Sequence, residues 1–183
     1  MIVYRVSASL EFQGITSDEY DRVFDLTKNG AEVIGDCVFP ECYVSSLKEK
    51  RGNFFRITSG SLLCDDLAKN ALSEVLPNKC EFITVKVEDI GTLTFINVPI
   101  KLNPIDEDRS IWKADKKRKT ILKYEFDTAE LVDAPCLFRV PQHRYNKLMT
   151  VTGRPAYNDD FYTRYHDAGL TGLEFSKLWS YEN

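Results

Sequence analysis

Glu81-Phe-Ile-Thr-Val-Lys-Val-Glu-Asp-Ile-Gly-Thr-Leu-Thr-Phe-Ile-Asn-Val98 decides the fold class. Residues 81–88 and 92–98 alternate with period two, setting Phe82, Ile83, Val85 and Val87 against Leu93, Phe95, Ile96 and Val98. Side chains of an extended chain point to opposite faces in turn, so such runs read as strands. Asp89-Ile-Gly91 supplies the turn between them. A connection this short imposes antiparallel pairing.

Outward from the hairpin, residues 64–76 read as a helix with an apolar stripe of Leu67, Ala68, Ala71, Leu72 and Val75. Asp65 and Asp66 fall in its first turn, where carboxylates complement the helix dipole, and Pro77 ends it. Residues 2–7 read as an opening strand and 53–57 as another. Thr16 and Glu19 have capping-box spacing before a helix carrying Tyr20, Val23, Phe24 and Thr27, which Asn29-Gly30 closes. Residues 31–52 read as loop with a short strand at best. Residues 99–120 read as an exposed connection broken by Pro99 and Pro104. Further strands are expected at 120–126, 136–140 and 173–179, and a helix from Asn158, as its cap, to Ala168. The expectation is one α+β domain over residues 1–183, with a largely antiparallel or mixed sheet and about three helices. Phe54-Phe-Arg-Ile57, Asp65-Asp66 and Glu81-Phe82 are echoed by Leu137-Phe-Arg-Val140, Asp159-Asp160 and Glu174-Phe175. A weak β-loop-α-β duplication and a coincidence of common elements both fit that echo.

The chain has 183 residues, 43% hydrophobic and 28% charged, which suits a globular domain able to bury a core without metals or disulfides. A formal charge of −4 argues against a dedicated nucleic-acid binder and permits a basic protein partner. Five cysteines, an odd number with no Cys-x-x-Cys pair, read as buried reduced thiols. The N-terminal residues lack the layout of a signal peptide, and no run approaches the roughly 20 apolar residues of a membrane-spanning helix. The expected compartment is the cytoplasm.

The search for chemistry finds no catalytic constellation, and no cofactor or metal is expected. His143 and His166 are the two histidines and are not spaced as a metal pair. Adjacent carboxylates on a helix diverge by roughly 100°, so Asp65-Asp66 and Asp159-Asp160 cannot converge on one substrate atom. Asp106-Glu-Asp108 lacks the glycine and bidentate glutamate of a calcium loop. Neither Walker, Rossmann nor Gly-x-Ser-x-Gly spacing appears. Cys64 at a helix start would have its thiol pKa lowered by the dipole. Its plainer reading is a poor helix cap. Lys116-Lys-Arg-Lys119, near Trp112 and Tyr124, is the best nucleic-acid signal, although charge runs are usually solvated. The segment 141–157 is long for a connection and carries His143, Arg144, Tyr145, Lys147, Arg154 and Tyr157. Arginine and tyrosine are favoured where interfaces concentrate their energy, so His143, Arg144, Tyr145, Arg154 and Tyr157 are the candidate partner-binding residues.

Asp167-Ala-Gly-Leu-Thr-Gly-Leu-Glu-Phe175 resembles the closing signature of immunity family eleven of bacterial polymorphic toxin systems. Gly169 fits a left-handed helix stop, Leu170 packs back on the helix, and Gly172 turns the chain into a strand. The Leu137-Phe-Arg139 strand and the helix followed by Glu81-Phe-Ile-Thr-Val85 are similar too, so the resemblance covers roughly residues 50–180. Two features depart from the family pattern: Cys64 stands where a capping Ser is expected, and 141–157 is longer than usual. The resemblance implies a non-enzymatic antidote that binds and neutralises a cognate toxin domain inside the producing cell, and it brings no catalytic residues. The alternative reading is a small nucleic-acid-associated regulatory protein using the basic segments 116–119 and 141–157, which predicts steeply salt-dependent binding. A third is an enzyme using Cys64 or His143.

Overall fold

A computed structural model describes residues 1–27, 38–76, 78–88, 90–113, 120–141, 147–154 and 160–181. In chain order the elements are β1 (Ile2–Ala8), β2 (Ile15–Thr16), α1 (Tyr20–Thr27), β3 (Tyr43–Val44), β4 (Phe54–Phe55) and β5 (Leu62–Cys64). Then come α2 (Asp66–Leu72), β6 (Glu81–Val87), β7 (Gly91–Asn97), β8 (Ile111–Trp112) and β9 (Ile121–Lys123). The last are α3 (Thr128–Val132), β10 (Leu137–Val140), β11 (Lys147–Thr152), α4 (Phe161–Asp167) and β12 (Leu173–Ser180). The fold is α+β with antiparallel sheets. Four helices are seen among the described residues, α3 being the unexpected one. It is a five-residue helix, too short to show a helical period, and Asp127 caps it by accepting the Ala129 N–H.

Two four-stranded sheets carry the molecule, ordered β4-β5-β7-β6 and β10-β11-β1-β12. Each is a hairpin, a helix, and a strand at the far edge, with a fourth strand inserted in the gap. In the first unit that fourth strand is β7, which follows β6. In the second it is β1, supplied by the start of the chain. The registers agree residue by residue: Leu63 pairs with Phe95 as Met149 pairs with Arg5, and Phe82 with Ile96 as Phe175 with Val6. Even the flanking chain repeats. Gly14 bridges Arg56 in parallel, and Lys101 bridges Arg139 in the same way. The Glu-Phe and Phe-Arg echoes of the sequence therefore occupy equivalent places, and the duplication is real in three dimensions, permuted so that its last strand comes first.

The inner faces of both sheets share one core with the two helices, built on Val6, Phe54, Leu62, Leu72, Ile96, Leu137, Leu148, Phe161 and Tyr165. Each outer face is covered by an insertion. From residues 12–27 and 38–44, Ile15, Val23 and Phe39 pack onto Phe55, Leu63 and Phe95. Residues 99–134 bring Ile105, Phe126 and Leu131 onto Val3, Phe138 and Met149. The expected exposed connection at 99–120 is corrected in part: Pro104, Ile105 and Ser110 are buried because they roof a sheet, while Lys101, Asn103, Glu107, Asp108 and Arg109 are exposed as expected.

Other expectations change for local reasons. Helix α2 is shorter than 64–76, because Cys64 ends β5 and Asp65 is the cap, its carboxylate accepting the Ala68 N–H at 2.9 Å. With Ala68 and Leu72 turned inward, Leu67 is 58% exposed instead of lining the stripe. Helix α4 is capped by Asp160, which accepts the Thr163 N–H at 2.9 Å. Asn158 and Asp159 lie outside the described residues, as do Asn29-Gly30. The Thr16–Glu19 capping box is replaced by Ser17, whose Oγ accepts the Glu19 N–H at 3.2 Å, since Thr16 belongs to β2. The largest correction is within 141–157, read as loop: residues 147–152 are β11, an inner strand buried from Leu148 to Thr152.

The Gly169-Leu-Thr-Gly172 run fastens one unit to the other. Gly169 has φ +63 and stops α4, and Leu170 folds back with its N–H on Tyr165 O at 3.1 Å. Thr171 O then accepts the N–H groups of Asn53 and Phe54, at 3.2 and 3.0 Å, while Asn53 Oδ1 accepts the Thr171 N–H at 3.0 Å. Gly172 has φ +102, and any Cβ there would be driven into the Phe54 backbone. The run lets the start of β4 and the start of β12 meet at backbone distance, which a side chain would prevent.

Candidate partner-binding surface

Of the five sequence-predicted binding residues, Arg154 is the one the structure describes. His143, Arg144, Tyr145 and Tyr157 lie outside the described residues, as does Lys116–Lys119. Arg154 is described and is a correction: it is 3% exposed, and its guanidinium donates to Ala134 O. The cation follows a buried strand and is drawn inward to satisfy a carbonyl beside α3, so it offers nothing to a partner. Lys147 is half-buried at the start of β11, where burial pushes its pKa down.

Among the described thiols, Cys42 and Cys64 are buried and Cys80 and Cys136 half-buried. Cys64 is fully buried, and burial, with the neighbouring Asp65 carboxylate adding to it, pushes its pKa up to about 12. This is opposite to the activation a helix start would give, because Cys64 sits in a strand and not at the helix cap. Burial likewise raises Cys80 to about 12 and Cys136 to about 11. A thiol with such a value carries almost no thiolate at neutral pH. His166 is exposed and lies on a ring cluster, 4.4 Å from Tyr162 and 5.5 Å from Phe175 between centroids. Among the described residues no group of three His, Cys, Asp or Glu side chains could hold a metal ion.

What the fold does build is an open groove of about 760 Å³ at one end of the first sheet. Three chain segments form it. The lead into α1 supplies Ser17, Asp18 and Glu19; β3 and the residues before it supply Glu41, Cys42 and Tyr43; the β6–β7 hairpin supplies Lys86, Val87, Glu88, Gly91 and Thr92. Main-chain and side-chain bonds fix them together. Ser17 Oγ donates to Glu41 O at 2.6 Å, the Glu88 N–H donates to Cys42 O at 2.9 Å, and Tyr43 Oη donates to Asp18 Oδ1 at 2.9 Å. The Asp18 carboxylate accepting that proton holds the Tyr43 phenol pKa above its usual value. Asp18, Glu19, Glu41 and Glu88 face the groove against one ammonium, Lys86, and Arg22 pairs with Glu19 at its rim at 3.1 Å. The lining is therefore acidic on balance, and a groove of one sign attracts ligands of the other.

None of these residues was read from the sequence as a binding residue. They come from segments about twenty and forty residues apart, each carboxylate unremarkable where it stands, and only the tertiary fold makes them neighbours. No helix among the described residues is long and apolar enough to cross a membrane. Comparison with family models finds no match, and comparison with curated proteins finds none either.

Proposed function

We propose that this chain is a non-enzymatic antidote that binds a cognate bacterial toxin domain and neutralises it in the cytoplasm of the producing cell. The observation that carries the reading is the place of the Gly169-Leu-Thr-Gly172-Leu-x-Phe175 run. The residues that give the chain its resemblance to immunity family eleven are those that join its two units, where glycine is required for contact. The acidic groove adds a surface suited to a basic effector, and a domain of this size can present the roughly 800 Å² per partner of a standard interface. The withdrawn thiols speak against the Cys64 enzyme reading. The inward turn of Arg154 takes one cation from the nucleic-acid reading.

Co-expression with the toxic domain encoded by the neighbouring gene tests the proposal, scoring host survival and co-purification. The expected outcome is survival with a stable complex. Host death without a complex, with both proteins soluble, would sink it.

A further inference from the structure

Both sheets end on a strand that has a neighbour on one side only along most of its length: β6 in the first unit and β12 in the second. The other two edges are occupied. Arg56 on the β4 side bonds Gln13 and Ile15, and Arg139 on β10 bonds Ile100 and Leu102, through their main chains. At the end of β6 the Glu88 N–H already points away from β7, to Cys42 O. Strand geometry repeats every second residue, so the N–H and C=O groups of Thr84 and Phe82 point the same way. Among the described residues they meet no partner.

The side chains differ between the two edges. On β12, Phe175 is packed among Tyr4, Phe161, Tyr162 and Tyr165, at centroid distances of 6.2, 6.3, 5.0 and 5.0 Å. Its counterpart Phe82 is 41% exposed, with the Lys69 ammonium over its ring at 5.8 Å. An open edge flanked by an exposed aromatic ring is a template for an added strand. The same edge leads into the groove lined by Asp18, Glu41 and Glu88.

We infer that β6 is the docking edge for the partner, and that the partner contributes an extended, basic segment. Its main chain pairs with Phe82 and Thr84, an apolar side chain covers Phe82, and its lysines or arginines enter the groove. This rests on the antidote reading and specifies its contact. The choice of a basic occupant follows from the sign of the groove.

The test uses the complex with the neighbouring toxin domain. Thr84→Pro removes an outward N–H without touching the ladder to β7, and proline is tolerated at such edge positions. It is expected to weaken binding by about tenfold or more. Glu41→Lys with Glu88→Lys should weaken it by about tenfold at low salt and less at high salt. Phe82→Ala, at an exposed site, guards against a folding artefact and should cost about threefold to tenfold. Hydrogen exchange in the wild-type complex should slow at Phe82 and Thr84. A complex in which all three variants bind like wild type and exchange slows at β12 instead would overturn the inference while leaving the antidote reading intact. A wild-type chain that self-associates through β6, released as a monomer by Thr84→Pro, would replace the partner with a second copy and overturn it too. No complex with wild type removes both readings.

Discussion

The two units share strand order, register and a common core, yet they treat one position in opposite ways. In the second, Phe175 is enclosed by rings from β1 and α4, including Tyr162, which stacks on Tyr4 at 4.5 Å and 3°. In the first, the equivalent Phe82 is 41% exposed, Thr94 stands where the second unit has Tyr4, and Leu67 is exposed on α2. The helices differ to match: α4 buries Phe161 and Tyr165, whereas α2 buries only Ala68 and Leu72. Large rings on a short helix reach out to cover the edge strand; alanine and leucine do not. The two units are similar scaffolds. In one the edge-strand phenylalanine is enclosed by aromatics; in the other it stays 41% exposed, beside an acidic groove.

If the two halves are joined where Gly172 meets Phe54, that joint is the most sensitive place in the chain. Gly172→Ala requires a strained φ of +102 and a clash with backbone that cannot move aside. The expected loss of stability is about 4 kcal/mol or more, in the range reserved for severe packing failures. Gly169→Ala is the control: its φ of +63 also disfavours a side chain, but nothing lies within 4 Å of the added atom. It should cost about 1–2 kcal/mol. Denaturant unfolding separates the two, and equal losses would mean that contact with Phe54 contributes nothing beyond backbone strain.

Next in size is the contrast at the edge strands. Phe175→Ala removes the ring that touches the Tyr4, Tyr162 and Tyr165 cluster, and should cost about 2–3 kcal/mol, somewhat below a fully buried Phe. Phe82→Ala removes a half-solvated ring and should cost less than about 1 kcal/mol. The same unfolding measurement compares them. A large loss at Phe82 would make it a core residue and break the distinction between a closed and an open unit.

The hairpin 81–97 was legible because its signal is local: period two on both sides of a short turn. Strand β11 was not. It is buried on both faces, so it shows no alternation, and two of its inward positions are threonines. Their hydroxyls are satisfied in place, Thr150 on Cys136 O and Thr152 on the Asp160 carboxylate, both at 2.6 Å, which a reading of hydropathy cannot foresee. With β11 hidden, 141–157 looked like a long loop and Arg154 like a surface cation. The duplication was visible only as an echo because β1, the strand completing the second unit, lies at the opposite end of the sequence. The groove was invisible for the reason that binding sites often are: Asp18, Glu41 and Glu88 have no sequence relation to one another.

The smallest contrast concerns the two helix caps, and it asks whether equivalent residues have equivalent work. Asp65 accepts the Ala68 N–H and, through its other oxygen, the Asn53 side-chain amide at 3.0 Å, in a half-buried setting. Asp160 accepts the Thr163 N–H and the Thr152 hydroxyl while only 2% exposed. Removing either carboxylate frees one helix amide, a loss of about 1 kcal/mol. At position 160 the substitution also strands a buried hydroxyl that water cannot easily reach, adding about 1–2 kcal/mol. At position 65 the orphaned Asn53 amide lies nearer solvent and adds less. Asp160→Ala is therefore expected to destabilise the fold by about 1 kcal/mol more than Asp65→Ala. The double variant Asp160→Ala, Thr152→Val should recover part of that excess, because an apolar pair leaves nothing unsatisfied. If the single variants cost the same and the valine recovers nothing, the caps are interchangeable, and the asymmetry between the units is confined to the aromatic face of β12.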